Sequence, residues 1–245
     1  MMARTAPIVL VHGAWYGAWC WERVVRGLRE GGYRVFAPDL PGRPGNPLPV
    51  ERVSLDSWVS HIRASMVDIG EPVVLVGHSL GGAVLTGVTE EVTSLVRSLV
   101  FVAAFLLRNG ESASDVFRAD PSTAVGALRS VSPDGLWSTV LPGRVEELLC
   151  NGCEAEDVAI VEGALVPEAT AVARTPVHWT NERFGSIQRH FVECSEDRVI
   201  SWAAQRKMRA YLPCHTTTTL ETGHAPFYSD PGSLVAILGE VASQV

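Results

Sequence analysis

The pentapeptide Gly77-His78-Ser79-Leu80-Gly81 sets a serine between two glycines, after the apolar run "PVVLVG" and before the small-residue stretch "GGAVLTGV". A strand, a tight turn and a helix in that order would strain the serine backbone and lift its hydroxyl above a sheet, with the glycines leaving room for neighbouring chain. The helix that follows would aim its N-terminal N–H groups at charge developing on that hydroxyl. Such a serine is suited to nucleophilic attack on an acyl carbon, but it needs a base, and the base needs an orienting acid.

In folds that present a serine on such a turn, the partners follow in the order acid, then histidine. Four histidines lie downstream: His178, His190, His215 and His224. His224 stands in "LETGHAPFYSDP", just past the last strand-like segment, and is expected to be the base. His190 and His215 fall at strand starts, on the wrong edge, and His178 could at most line a pocket. For the acid, "HFVECSEDRVI" offers Glu196 and Asp197 just beyond a strand; the shorter Asp197 is preferred, with Glu196 turned to solvent. Asp115, Asp134 and Asp157 lack a strand end to fix them and read as solvated charges. Two amides are needed for the oxyanion of a tetrahedral intermediate. Leu80, after the serine, supplies one, and Ala14, in the turn of "VHGAW", supplies the other. His12 is read as a buttress of that turn, and Trp15 and Tyr16 as pocket residues.

These positions require strands to carry them. "APIVLVHG" (6–13), "YRVFAPD" (33–39), "PVVLVG" (72–77), "RSLVFVAA" (97–104), "RHFVEC" (189–194) and "HTTTTLE" (215–221) read as strands, and the continuous apolar character of the first four suits a parallel sheet buried on both faces. Helical spacing recurs at 20–30, 55–69 and 81–94, the first ending at Gly31-Gly32. The fold class is therefore α/β, a mostly parallel doubly wound sheet, in one domain. Its core spans about 1–104 and 181–245, and an insertion spans about 105–180. The insertion shows short helical pieces without a convincing strand. Its length favours a lid over a passive cover.

Composition narrows the partners. With 47% hydrophobic and 19% charged residues the chain is neither disordered nor fibrous. A formal charge of −7 works against binding nucleic acid, whose phosphates call for clustered Lys and Arg. The apolar run near the N-terminus is cut by His12 after five residues, too short for a signal-peptide core, and no segment approaches a membrane span. Five cysteines, an odd number, fit reduced thiols in a cytoplasmic protein. "CNGC" (150–153) has C-x-x-C spacing but no second ligand pair and no redox setting, so neither a metal nor a redox role is expected there.

With Ser79, Asp197 and His224 in place, the sequence resembles the plant methylesterase and hydroxynitrile lyase family of α/β-hydrolases, together with its bacterial relatives. The resemblance runs nearly end to end through "VLVHGAWYGAWCW", "GHSLGG", "FVAAF", "NERFGSI", "CSEDRVI" and "TGHAPFYSDP". It implies cofactor-free cleavage of small carboxylic esters, or of cyanohydrins, under a mostly helical cap. The lyase branch typically carries a threonine after the first loop's histidine, a G-E-S-C-G turn and a lysine after the catalytic histidine; here Gly13, His78 with Leu80, and Ala225 stand at those places. The esterase branch is thus favoured, although the family usually has a second histidine where Tyr16 stands. Lactone hydrolysis, polyketide tailoring, cyanohydrin cleavage and a receptor without turnover are the alternatives. The expected partner is a small-molecule ester, without nucleic acid or membrane; a homodimer is left open.

Overall fold

The computed structural model describes residues 5–244. Residues 1–4, part of the N-terminal segment weighed as a signal peptide, lie outside the described residues.

Six strands form one sheet: β1 (Ile8–Val11), β2 (Val35–Phe36), β3 (Val73–His78), β4 (Val96–Val102), β8 (Arg189–Cys194) and β9 (Thr216–Leu220), in the spatial order β2-β1-β3-β4-β8-β9. Every pairing is parallel. All residues of β1 and β3 are buried, and successive side chains of a strand point to opposite faces, so both faces must be covered. Helices supply the cover, α1 (Glu22–Glu30) packing on α11 (Pro231–Gln244) and α2 (Leu55–Ile69) on α3 (Gly81–Val92). Between β8 and β9 the chain passes through α9 (Trp202–Tyr211), and the short α10 (Pro226–Ser229) follows β9. The ends of α2 are written in its sequence. Ser54 and Ser57 form a reciprocal capping box at its start, and Gly70 closes it at φ 74°, a left-handed position that glycine takes without a Cβ penalty.

The strand order reverses between β1 and β3, and at such a switch point a crevice opens at the carboxyl ends of the strands. Register aligns those ends: Val11 faces Gly77, Gly77 faces Phe101, and Val102 faces Val192. Cys194 faces Leu220. The loops after β1, β3, β4, β8 and β9 therefore leave from one edge. Among the described residues, the non-glycines with positive φ are Trp15 (62°), Ser79 (52°) and Ala103 (43°), and each follows one of these strands. Backbone strain is concentrated at that edge.

Between β4 and β8 runs an excursion with α4 (Ala113–Ala119), α5 (Val125–Leu128), α6 (Val145–Leu148), α7 (Ala155–Ala164) and α8 (Thr170–Arg174). The expectation that it holds no strand is corrected. β5 (Arg129–Val131), β6 (Trp137–Val140) and β7 (Glu168–Ala169) form an antiparallel sheet in the order β5-β6-β7. These strands have 3, 4 and 2 residues, too few for a visible period, and only a turn announces them. That turn is "SPDG": Asp134 accepts from the Leu136 N–H, Gly135 has φ 73°, and the Ser132 N–H reaches the Trp137 carbonyl at 2.9 Å. Elsewhere the expected strand at 33–39 shrinks to two residues at the sheet edge. Among the described residues no helix is long and apolar enough to cross a membrane.

Candidate active site

Ser79 occupies the turn between β3 and α3 in a left-handed conformation that costs a non-glycine residue on the order of 1–3 kcal/mol. The surrounding chain clamps it there. Its N–H donates to the Val102 carbonyl at 3.2 Å, and its carbonyl accepts from Gly82 at 3.0 Å and Phe105 at 3.1 Å. Leu80 follows at the opening of α3, where N–H groups have no acceptor within the helix. The turn after β1 lies directly on the serine. A Cβ on Gly13 would come 2.7 Å from the Ser79 Cβ, so only glycine permits the approach. Ala14, Leu80 and Ser79 line one cavity. His12 is occupied in holding this loop: its Nε2 accepts from the Leu40 N–H at 3.1 Å, and its Nδ1 faces the Gly13 carbonyl at 2.9 Å. Burial, and then the Arg43 charge, push its pKa well below the ordinary imidazole value.

The other two residues arrive from β8 and β9. Asp197, buried just past β8, accepts from the Val199 and Ile200 N–H groups on Oδ1 at 2.7 and 3.0 Å, and from Gln205 Nε2 on Oδ2 at 3.2 Å. Oδ2 also lies 2.8 Å from His224 Nδ1. Because the carboxylate accepts, Nδ1 donates, and the imidazole lone pair is left on Nε2. His78, the chain neighbour of Ser79, supports the histidine from behind. Its ring centroid is 4.5 Å from that of His224, and its Nε2 donates to the His224 carbonyl at 2.8 Å. Burial, followed by repulsion from His224, holds the pKa of His78 well below the usual imidazole value. Glu196 is exposed, and its carbonyl accepts from Asn151.

The cavity over Ser79 measures about 20 Å³, room for about one water molecule. Its walls are mainly apolar, with Leu80, Phe105, Phe117 and Val199 among them, and Glu168 is their one ionisable group. Glu168 carries a buried ion pair with Arg43, whose Nε also donates to the Tyr16 carbonyl. The same carboxylate oxygen, Oε2, accepts from the Trp15 N–H at 3.2 Å, while Oε1 is buried without a partner. Burial raises the Glu168 pKa, against the opposing pull of Arg43.

Of the expected pocket residues, Trp15 lines the cavity, its Nε1 donating to the Ser138 carbonyl at 3.1 Å. Tyr16 does not. It is buried behind the site, its ring packed on Trp19, His78 and Phe227. His178 is not brought to the cavity either, because the backbone bonds of Val177 to Glu111 and Gly110 turn it outward to solvent. Of the acids read as solvated, Asp157 is instead buried and paired with Arg23, which reaches across from α1. Sequence reasoning missed Glu168, Ser138 and Thr170, which line the cavity from the excursion; "VPEAT" carries no spacing that marks its acid. Cys150 is buried and Cys153 half-buried, both as free thiols. Among the described residues no cluster of His, Cys, Asp and Glu is arranged to hold a metal ion.

Comparison with known proteins identifies the family and the fold. A family model described as the alpha/beta hydrolase family matches residues 8–237. A putative chloroplastic methylesterase, number 11, of Arabidopsis thaliana is 30% identical, the alignment covering 97% of this chain and 64% of that protein. The chain thus spans less than two thirds of the length of that relative. Methyl jasmonate esterase 1 of Vitis vinifera is 27% identical over 98% of both chains. Among solved structures, polyneuridine aldehyde esterase superposes with a TM-score of 0.87 at 23% identity, covering 97% of this chain and 99% of that one.

Proposed function

The chain belongs to the alpha/beta hydrolase family, and from that premise we propose that it is a carboxylic ester hydrolase acting on a small ester through Ser79, His224 and Asp197. The observation that carries the reading is the buried hydrogen bond from His224 to Asp197, 2.8 Å long, with the His224 ring packed on His78, the chain neighbour of a serine held in a strained turn. It fixes the tautomer that leaves Nε2 free to take a proton. Naming among the relatives favours esters over cyanohydrins.

In the proposed reaction Ser79 Oγ bonds to the ester carbonyl carbon as its proton passes to His224 Nε2. Asp197 stabilises the resulting imidazolium, and the Ala14 and Leu80 amides receive the oxyanion. Collapse breaks the bond to the alcohol, which leaves with the proton from His224, and an acyl-Ser79 remains. A water molecule, deprotonated by the same Nε2, then releases the carboxylic acid and restores the serine.

Replacing Ser79 with alanine tests this. In a unit of residues that act together, loss of the nucleophile costs on the order of 10⁶ in kcat. The Ser79→Ala protein is expected to show no burst and no turnover above background on short p-nitrophenyl esters. Turnover within about tenfold of the wild type would refute the assignment.

A further inference from the structure

One polar atom at the cavity has no role in the reaction just described. Glu168 is 3% exposed, lines the cavity with Ser79, and spends only one of its two oxygens. Oε2 holds both Arg43 and the Trp15 N–H, whereas Oε1 is buried without a hydrogen-bond partner. A buried acceptor left unmade costs about 1–3 kcal/mol, more when it is charged, so such an atom calls for a reason. No protein group supplies one: Arg43 already neutralises the carboxylate, Oε2 already ties β7 to the loop after β1, and the cavity that Glu168 lines has room for a water molecule or for a donor carried by a ligand. What remains is an acceptor on a mainly apolar cavity, the arrangement by which a binding site fixes the orientation of a small ligand.

We propose that Glu168 Oε1 is a specificity determinant that accepts a hydrogen bond from the substrate, selecting small esters with an O–H or N–H donor on the atom next to the reacting carbonyl. This rests on the ester-hydrolase reading. The placement of the donor follows from the size of the cavity, since Glu168, Ser79 and Ala14, whose amide is assigned to the carbonyl oxygen, line the same space of about 20 Å³. The donor thus sits beside the carbonyl rather than at the far end of the acyl chain. A substrate lacking it would strand a buried carboxylate oxygen, and sites built around a polar partner reject analogues that lack it far more strongly than apolar pockets reject a change of size.

The test compares methyl mandelate, methyl phenylacetate and methyl 2-methoxy-2-phenylacetate, and in parallel methyl lactate, methyl propionate and methyl 2-methoxypropionate, by kcat/KM with each enantiomer. Wild type is expected to prefer the hydroxy ester over both analogues by on the order of ten- to a hundredfold. In Glu168→Gln, Arg43 and the Trp15 N–H still require an acceptor, so the amide oxygen takes the place of Oε2 and the NH₂ group faces the cavity. The preference should then collapse or turn toward the methoxy ester, which can only accept. Hydrolysis of all three by wild type within about threefold of one another overturns the inference and leaves the ester-hydrolase reading standing. So does a wild-type preference for the methoxy ester, as a protonated Glu168 would give. An unchanged preference in a folded Glu168→Gln protein overturns it too, and the wild-type ratios decide alone if that variant does not fold. If wild type turns over none of the six esters, or Ser79→Ala matches it, the underlying reading falls and the inference with it.

Discussion

Asp197 illustrates how much a single side chain is asked to do. One oxygen is held by two backbone amides, so the other has a fixed direction toward His224. Asp197→Asn would keep the shape: its oxygen would stay with the Val199 and Ile200 amides and its NH₂ would meet His224 Nδ1. Two donors cannot share that bond, so the imidazole would adopt the tautomer with its lone pair on Nδ1, facing away from the serine. A fall in kcat of about 10⁴ is expected, with KM little changed, in steady-state ester hydrolysis. Retention of more than a tenth of the wild-type rate would mean that Asp197 does not set the tautomer of His224. Glu168 sits at the same scale, but nothing in its sequence context announced it. Ser79, Asp197 and His224 could be picked out because each follows a strand in the required order, whereas Glu168 acquires its meaning only from Arg43, 125 residues away.

At the scale of elements, the contact that matters most is between the first turn of α3 and the start of the excursion. A Cβ on Gly82 would collide with the Phe105 carbonyl oxygen, a backbone atom that cannot swing aside. Gly82→Ala is therefore expected to destabilise the fold by about 1–3 kcal/mol, seen in calorimetry as a Tm lowered by roughly 2–4 °C for each kcal/mol. An unchanged Tm would mean that α3 and the segment after β4 are not locked together. The sequence made the parallel strands legible because β1 and β3 are buried on both faces, and β1, the first four residues of β3 and residues 99–102 of β4 read as unbroken apolar runs. It concealed β5 to β7 because strands of two to four residues have no period to detect, and their pairing depends on a "PDG" turn and on the distant β7. Tyr16 was misplaced for a related reason. An aromatic just past a strand can face the cavity or the core, and here His78 and Phe227 draw it inward.

For the molecule as a whole, buried imidazoles make stability depend on pH. Burial holds the pKa values of His12 and His78 well below the ordinary value of about 6.5, and those of His61 and His190 are lowered as well. In the unfolded chain these groups take up protons below about pH 6.5, while in the folded protein they take them up less readily, His12 and His78 least of all, so the unfolded state gains stability as the pH falls. Their contribution is complete above about pH 6.5 and is lost on acidification, by about 1.4 kcal/mol per pH unit for each fully buried histidine. Urea midpoints at pH 7.5, 6.0 and 5.0 should decline steadily, and more shallowly in a His12→Gln protein. A flat series would show that the buried histidines are charged in the fold.

Trp15 is held by the excursion at three points: its N–H by Glu168, its carbonyl by the Val166 N–H at 2.9 Å, and its ring nitrogen by the Ser138 carbonyl at 3.1 Å. Its backbone is kept at φ 62°, one residue from an amide assigned to the oxyanion. The excursion is thus the scaffold of the loop it covers. An enzyme trimmed back to its sheet and helices to admit bulkier molecules would not be the same catalyst with a wider mouth. It would have to be given, along with its new opening, another means of holding that tryptophan.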